Sequence, residues 1–240
     1  MIRTMRTTSS RAARRTGASA GGSAQRINLG CGSRWTDGWT NVDAGIWTRL
    51  LPLRGLLPNR LVPAAVRAYP PTLKRWDLRR VPLPFADGSA TYIFSQYVLE
   101  YLTPQEALAV LRDCRRVLAP GGLLRVCQTD VEAIAHKYLA SKPTTGLEAL
   151  ERTRLFARQA APEHTKLSVR LFRRGGVQQL FDVPSLEWML GVAGFVDVQR
   201  RAIHDGDCPD LDALEAEWDP PLIRYEARVP QTIDLITPSQ

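Results

Sequence analysis

The stretch Arg26–Gly45, RINLGCGSRWTDGWTNVDAG, decides how the rest of the chain is read. Arg26-Ile27-Asn28-Leu29 has the make-up of a short buried strand, and Gly30-Cys31-Gly32 follows as a tight turn. A polar, glycine-bearing connection then leads to Asn41-Val42-Asp43, the end of a second strand. Glycine suits the first turn because it reaches backbone conformations closed to other residues. Lacking Cβ, it also lets a ligand lie against the main chain. An acid at the tip of the neighbouring strand can accept hydrogen bonds from both hydroxyls of a ribose. These features describe a pocket for a nucleoside-bearing cofactor at the carboxyl ends of parallel strands. A dinucleotide site would want the third glycine of G-x-G-x-x-G, where helix and strand pack closely. Trp35 stands at that position, so NAD or FAD loses its best support.

Charge is unevenly distributed along the 240 residues. No acid precedes Asp37, whereas Arg3, Arg6, Arg11, Arg14, Arg15, Arg26 and Arg34 all do. Removing those seven from the net charge of +8 leaves +1 for the remainder, which argues against a nucleic-acid footprint on the folded body. Residues 1–23, rich in Arg, Ser, Thr, Ala and Gly, read as a disordered basic tail, with a transit peptide as the alternative. Residues 24–230 then form one domain and 231–240 a second tail. Cys31, Cys114, Cys127 and Cys208 are scattered without a C-x-x-C pair, as expected of reduced thiols in a cytoplasmic protein. No zinc-ligand spacing appears, and no metal is expected. No apolar run approaches a membrane span.

Ile46–Arg75 carries Pro52, Pro58, Pro63, Pro70 and Pro71, many leucines, isolated arginines and no acid. It reads as short helices broken by proline, in a crossover connection that packs on the sheet. Its functional alternatives are a lid over the cofactor or a basic amphipathic surface for a membrane contact. Leu73–Trp76 is a third strand ending at Asp77-Leu78, and Thr91–Gln96 a fourth. Thr103-Pro104-Gln105-Glu106 opens a helix, with a cap, a first-turn proline and a capping box. Ala119-Pro120-Gly121-Gly122 stops that helix, and Leu123–Cys127 is a fifth strand interrupted only by Arg125.

From Glu132 to about Ala161 two helices are expected, split at Lys142–Gly146, and residues 132–180 serve as an acceptor-side insertion. His164 and the cluster Arg170, Arg173 and Arg174 fall within it. Such a cluster either holds an acidic acceptor or forms a solvated face. A helix from Asp182 to Gly194, a sixth strand Phe195–Arg201 and an antiparallel seventh, Leu222–Val229, close the domain. The acid-rich His204–Asp212 lacks calcium-loop spacing and reads as a solvated connection. The alternation of strands and helices predicts an α/β Rossmann-like three-layer sandwich, with a seven-stranded, mostly parallel sheet and an antiparallel last strand.

Three blocks carry a resemblance: Leu29–Asp43, the run Asp77-Leu78…Pro82-Leu83-Pro84-Phe85…Val98-Leu99-Glu100, and Arg115…Val117-Leu118…Pro120-Gly121-Gly122. Together they resemble the class I S-adenosylmethionine-dependent methyltransferases, in particular the small bacterial, type 11-like members. The resemblance implies S-adenosylmethionine as cofactor, held by Asn28, Leu29, Gly30, Cys31, Gly32, Asp43, Asp77, Leu78, Ser95 and Gln96. It implies methyl transfer to a small-molecule acceptor, such as a sugar or a secondary metabolite. The alternative is a protein of this fold that binds the cofactor but catalyses another reaction or only binds a partner. His164, Asp130, Tyr97 and Glu100 are the candidates for a general base or acceptor contact. The chain departs from the pattern where Tyr97 and Tyr101 replace histidines often found in relatives, and where Thr91 replaces an aspartate. The acceptor and the oligomeric state are not written in the sequence.

Overall fold

The strand residues Ile27, Leu29, Ile93, Leu124 and Val126 are almost wholly buried, and their alternation fixes which way each strand faces. The structure is a computed structural model and describes residues 25–150, 177–215 and 221–231. Its strands are β1 (Gln25–Leu29), β2 (Thr40–Asp43), β3 (Lys74–Arg75), β4 (Ala90–Gln96), β5 (Leu118–Thr129), β6 (Val196–Arg200) and β7 (Leu222–Arg228). They form one seven-stranded sheet in the order β3-β2-β1-β4-β5-β7-β6. Pairings from β3 through β5 are parallel, while β7 runs antiparallel to both β5 and β6. The expected α/β architecture is the observed one.

Helices α1 (Pro104–Val117) and α3 (Val183–Val192) cover one sheet face. Helix α1 starts where expected: Thr103 Oγ1 accepts the Glu106 N–H and Glu106 Oε2 accepts the Thr103 N–H. Its residues Ala107, Val110, Leu111, Cys114 and Val117 repeat at helical spacing and sink into the main core. Val110, Leu111 and Val117 each contribute about 1.5–3 kcal/mol through burial. Arg116 at the helix end donates to Asp113, Asp87 and the carbonyls of Leu83 and Phe85. That one guanidinium fastens the Pro82–Asp87 turn that leads into β4.

Three expectations change. The segment Ala119–Gly122 does not precede β5 but belongs to it as an irregularity, with Gly121 at φ +75° and register shifting between Ala90 and Tyr92. Ile46–Arg75 does consist of single helical turns, but its buried residues Thr48, Val62, Val66 and Tyr69 join neither core cluster. It folds on itself instead of packing on the sheet, stapled by Arg54, which donates to the carbonyls of Val66, Tyr69 and Pro70.

The third change concerns residues 202–215: His204–Asp207, Asp210 and Asp212 are exposed as expected of a solvated connection, yet the segment is also anchored in a core. Cys208, Leu211 and Leu214 pack with Trp39, Phe94, Leu123 and Cys127 to cover the second sheet face. Beneath them lies Arg125, fully buried, with Glu215 at 2.6 Å and Glu226 at 3.7 Å. Arg125 also donates to the carbonyls of Ala202 and Asp205, and Glu226 accepts the N–H groups of Asp207 and Cys208. The loop is needed there because Gly30–Trp39, linking β1 to β2, contains no helix.

Among the described residues, no helix is long and apolar enough to cross a membrane, and no cluster of His, Cys, Asp and Glu could hold a metal ion. The tails and His164 with its arginine cluster lie outside the described residues, as does the second of the two helices expected between Glu132 and Ala161 beyond residue 150. Helix α2 (Val131–Ala140) is the first.

Candidate cofactor site

Asp43 is the centre of the site. It ends β2, and the parallel register Leu29↔Val42 puts it beside the turn that ends β1. Gly30 and Cys31 both donate to the Val42 carbonyl, at 2.8 and 3.1 Å, which bends the turn across the top of β2. Gly32 donates its N–H to Asp43 Oδ2 at 2.9 Å, and Gly45 donates to Oδ1 at 2.5 Å. Each carboxylate oxygen keeps a lone pair beyond the one used, so both can still accept from a ligand.

The two turn glycines have different causes. Gly30 has φ +68°, and a Cβ there would sit 2.2 Å from Val98 Cγ2. Its missing side chain makes room for the protein's own core. Gly32 has φ +50° and would project a Cβ into open space. Of the two, only Gly32 leaves its main chain uncovered, as the sequence suggests for both. Cys31 is buried, and burial, with Asp43 second, pushes its thiol well above its ordinary range.

Asp77 follows β3, whose pairing with β2 continues through a hydrogen bond from Trp76 N–H to the Asp43 carbonyl. Asp77 and Asp43 therefore occupy neighbouring strand ends. Asp77 Oδ1 accepts the Arg79 N–H, and Leu78 is buried behind it. At the end of β4, Ser95 stands in register with Leu29. Ser95 Oγ and Gln96 Oε1 are buried without a hydrogen-bond partner. Buried polar atoms normally find partners, so these two leave hydrogen-bonding capacity open at this strand end. Asn28, in contrast, is fully engaged, donating to Asn41 Oδ1 and the Arg34 carbonyl. It shapes the loop.

Of the candidate bases, Asp130 caps α2 by accepting the Ala133 N–H and stands 3.7 Å from Arg200. Glu100 is buried, and its Oε2 accepts the Thr129 N–H at 3.4 Å. Tyr97 adopts φ +58° at the end of β4, donates its N–H to Cys127 and packs on the second core. A non-glycine residue held there costs about 1–3 kcal/mol, the kind of strain that gathers at functional strand ends. Tyr97, Glu100 and Asp130 thus lie at or just beyond the carboxyl ends of β4 and β5, as Asp43, Asp77 and Ser95 do for β2, β3 and β4. His164 lies outside the described residues.

Two residues escaped the sequence reading. Tyr69 is buried, and its hydroxyl lies 2.9 Å from where a Gly45 Cβ would be, beside Asp43 Oδ1. Burial, and secondarily Asp43 and Cys31, raise its phenol well above the ordinary range. With the hydrogen bond from Trp35 Nε1 to the Ala68 carbonyl, it ties the 46–75 excursion to the Asp43 end of the site. Gln128 is fully buried on β5 with neither amide atom partnered. Its one sequence signal is a polar side chain continuing an apolar strand.

The residues present fit an adenosine-bearing cofactor: an open glycine turn, an acid with spare acceptor capacity, a second acid one strand over, and unpartnered polar atoms on β4. Residues 62–126 match the family model described as a methyltransferase domain. No curated protein matches the chain in sequence. Similar solved structures include a SAM-dependent methyltransferase from Methanosarcina mazei, 15% identical, with a TM-score of 0.48, covering 87% of this chain and 93% of that one. Another is an S-adenosylmethionine-dependent methyltransferase from Mesorhizobium loti, 18% identical, with a TM-score of 0.44 and coverages of 85% and 90%. A possible exported protein from Bordetella parapertussis is 15% identical with a TM-score of 0.45, and this chain, matched over 86% of its residues, spans 62% of that protein. The matched segment runs through β3, β4, α1 and most of β5, inside a sheet whose order sets the glycine turn beside Asp43, and over that segment the chain is similar to methyltransferase domains.

Proposed function

We propose that the chain transfers a methyl group from S-adenosylmethionine to a small-molecule acceptor, a sugar or a secondary metabolite. The observation that carries this reading is the Asp43 carboxylate, held at the strand end by Gly32 and Gly45 with acceptor capacity to spare. In this reading Asp43 takes the ribose hydroxyls, Asp77 and Leu78 the adenine, and Ser95 and Gln96 complete the pocket beside Leu29–Gly32. The cofactor supplies an electrophilic methyl on sulfur. The chain's task is then to hold an acceptor nucleophile in line behind that methyl and to keep water out. A base is required only where the nucleophile must lose a proton. Asp130 and Glu100 each have a structural hydrogen bond, so the reading rests on positioning, with Tyr97 and Gln128 as acceptor contacts at the carboxyl ends of β4 and β5.

The test is calorimetric titration of S-adenosylmethionine and S-adenosylhomocysteine into the full chain and into Asp43→Ala. A hydrogen bond to a charged group is worth about 1.5–3 kcal/mol, so loss of the carboxylate weakens both ligands about ten- to a hundredfold. A melt of the same variant separates lost binding from lost folding. Unchanged affinity would remove Asp43 from the site. The engagement of Asp130 and Glu100 favours one second reading, a protein that binds the cofactor without transferring methyl. Cofactor binding with no S-adenosylhomocysteine formed across a panel of sugar and aromatic acceptors would select it.

A further inference from the structure

The excursion between β2 and β3 has a surface that neither the fold nor the cofactor site explains. Its leucines are not spent on the core: Leu56 is 76% exposed, Leu61 60% and Trp47 43%, and none belongs to either core cluster. Between residues 46 and 75 there are six cations and no acid. Arg54 is turned inward onto main-chain carbonyls. Arg49, Arg60 and Arg67 are exposed, and among the described residues none of them pairs with a carboxylate. Large exposed apolar groups grouped on one segment mark an interaction site. Their chemistry selects the partner. Aliphatic side chains and a tryptophan interleaved with unpaired arginines match a bilayer interface with anionic headgroups, where arginine meets phosphate and leucine enters the acyl boundary. A nucleic-acid surface would ask for several stacking aromatics, and here there is one.

We propose that the Ile46–Arg67 excursion docks on the surface of an anionic phospholipid bilayer. The inference stands apart from methyl transfer, because it rests on residues outside the cofactor pocket. The excursion is nevertheless tied to that pocket through Tyr69 and the Trp35–Ala68 hydrogen bond, so docking brings the site's rim to the membrane.

The test is co-sedimentation of the full chain with phosphatidylglycerol vesicles and with phosphatidylcholine vesicles. Binding is expected to the anionic vesicles, to fall with added salt, and to be weak on the zwitterionic ones. Each arginine at such a surface is worth about a fivefold change in binding constant, so Arg60→Ala/Arg67→Ala loses about 25-fold. Leu56→Glu/Leu61→Glu loses about two orders of magnitude. Both variants should titrate S-adenosylhomocysteine as the parent does, which separates lost docking from misfolding. Vesicle binding that persists in both variants would assign it to the basic N-terminus and overturn the proposal. So would binding to a single-stranded RNA oligomer in place of vesicles, or a dimer dissolved by the leucine changes without any vesicle binding.

Discussion

Substitution of alanine at Gly30 and at Gly32 separates two reasons for glycine that look identical in the sequence. Both residues lie at positive φ, +68° and +50°, so an alanine at either carries a left-handed penalty of about 1–2 kcal/mol. At Gly32 nothing further follows, because the new methyl meets open space. At Gly30 the methyl would lie 2.2 Å from Val98 Cγ2. Val98 cannot swing away easily, since a β-branched side chain is stiff and this one is packed in the main core. Overpacking of that kind adds about 1–3 kcal/mol, giving about 2–5 for Gly30→Ala. Val98→Ala alone removes two methyl groups, about 2 kcal/mol. Combining the two removes the clash, so the double variant should be less destabilised than the sum of the singles by about 1–3 kcal/mol. Urea melts of the four proteins measure this coupling. Additivity within about 0.5 kcal/mol, or equal effects at Gly30 and Gly32, would refute the assignment of Gly30 to core packing. Calorimetry supplies the converse: Gly32→Ala should stay folded and weaken S-adenosylhomocysteine.

Arg125→Met should destabilise in urea melts, but by less than the about 3–5 kcal/mol of a fully unpaired buried charge, because Glu215 keeps Arg224 at 3.8 Å and Glu226 keeps Arg201 at 3.4 Å. The thiols of Cys31, Cys114, Cys127 and Cys208 are all raised above the ordinary value of 9.0, chiefly by burial. Their protonated forms therefore favour the fold, and that contribution is complete below pH 9 and lost as the pH rises beyond it. Tyr225 adds to the decline, since burial and then its hydrogen bond to Glu187 raise its phenol from 10.0 to about 12. Melts between pH 7 and 11 should show stability falling from about pH 9, with a thiol reagent reacting only in the unfolded protein.

The strands and the Thr103 cap were legible because each depends on nearby residues. A run of β-branched and aromatic residues marks β4, and a T-x-x-E spacing marks the start of α1. What stayed hidden depends on contacts across long separations. Nothing near Gly30 announces Val98, and nothing near Asp43 announces Tyr69. Asp130 looked like an acid facing an acceptor, yet its carboxylate closes the first turn of α2, a use that local spacing alone does not reveal. The anchoring of the 202–215 loop stayed hidden for the same reason. Its acids suggest solvent, while its buried Cys208, Leu211 and Leu214 take their meaning from Arg125, far away on β5.

The missing helix after β1 has a consequence for how a ligand's anionic end would be held. Where a helix follows the glycine turn, its free N–H groups and dipole can meet a carboxylate. Here the N–H groups of Gly30 and Cys31 go to the Val42 carbonyl, that of Gly32 to Asp43, and that of Arg34 to the Cys31 carbonyl. The turn has little left to give an anion. A cation would then have to take over, and Arg34 is the candidate by sequence position: exposed, two residues beyond Gly32, and with no carboxylate partner among the described residues. An exposed pair of this kind is worth up to about 1 kcal/mol. Arg34→Ala should then weaken S-adenosylhomocysteine about fivefold in calorimetry and leave adenosine, which lacks the amino-acid end, unchanged. Equal losses for the two ligands would mean that Arg34 only shapes the loop. No loss for either would mean that the anionic end is met by some other group, and that the turn's depleted N–H groups were not the deciding feature.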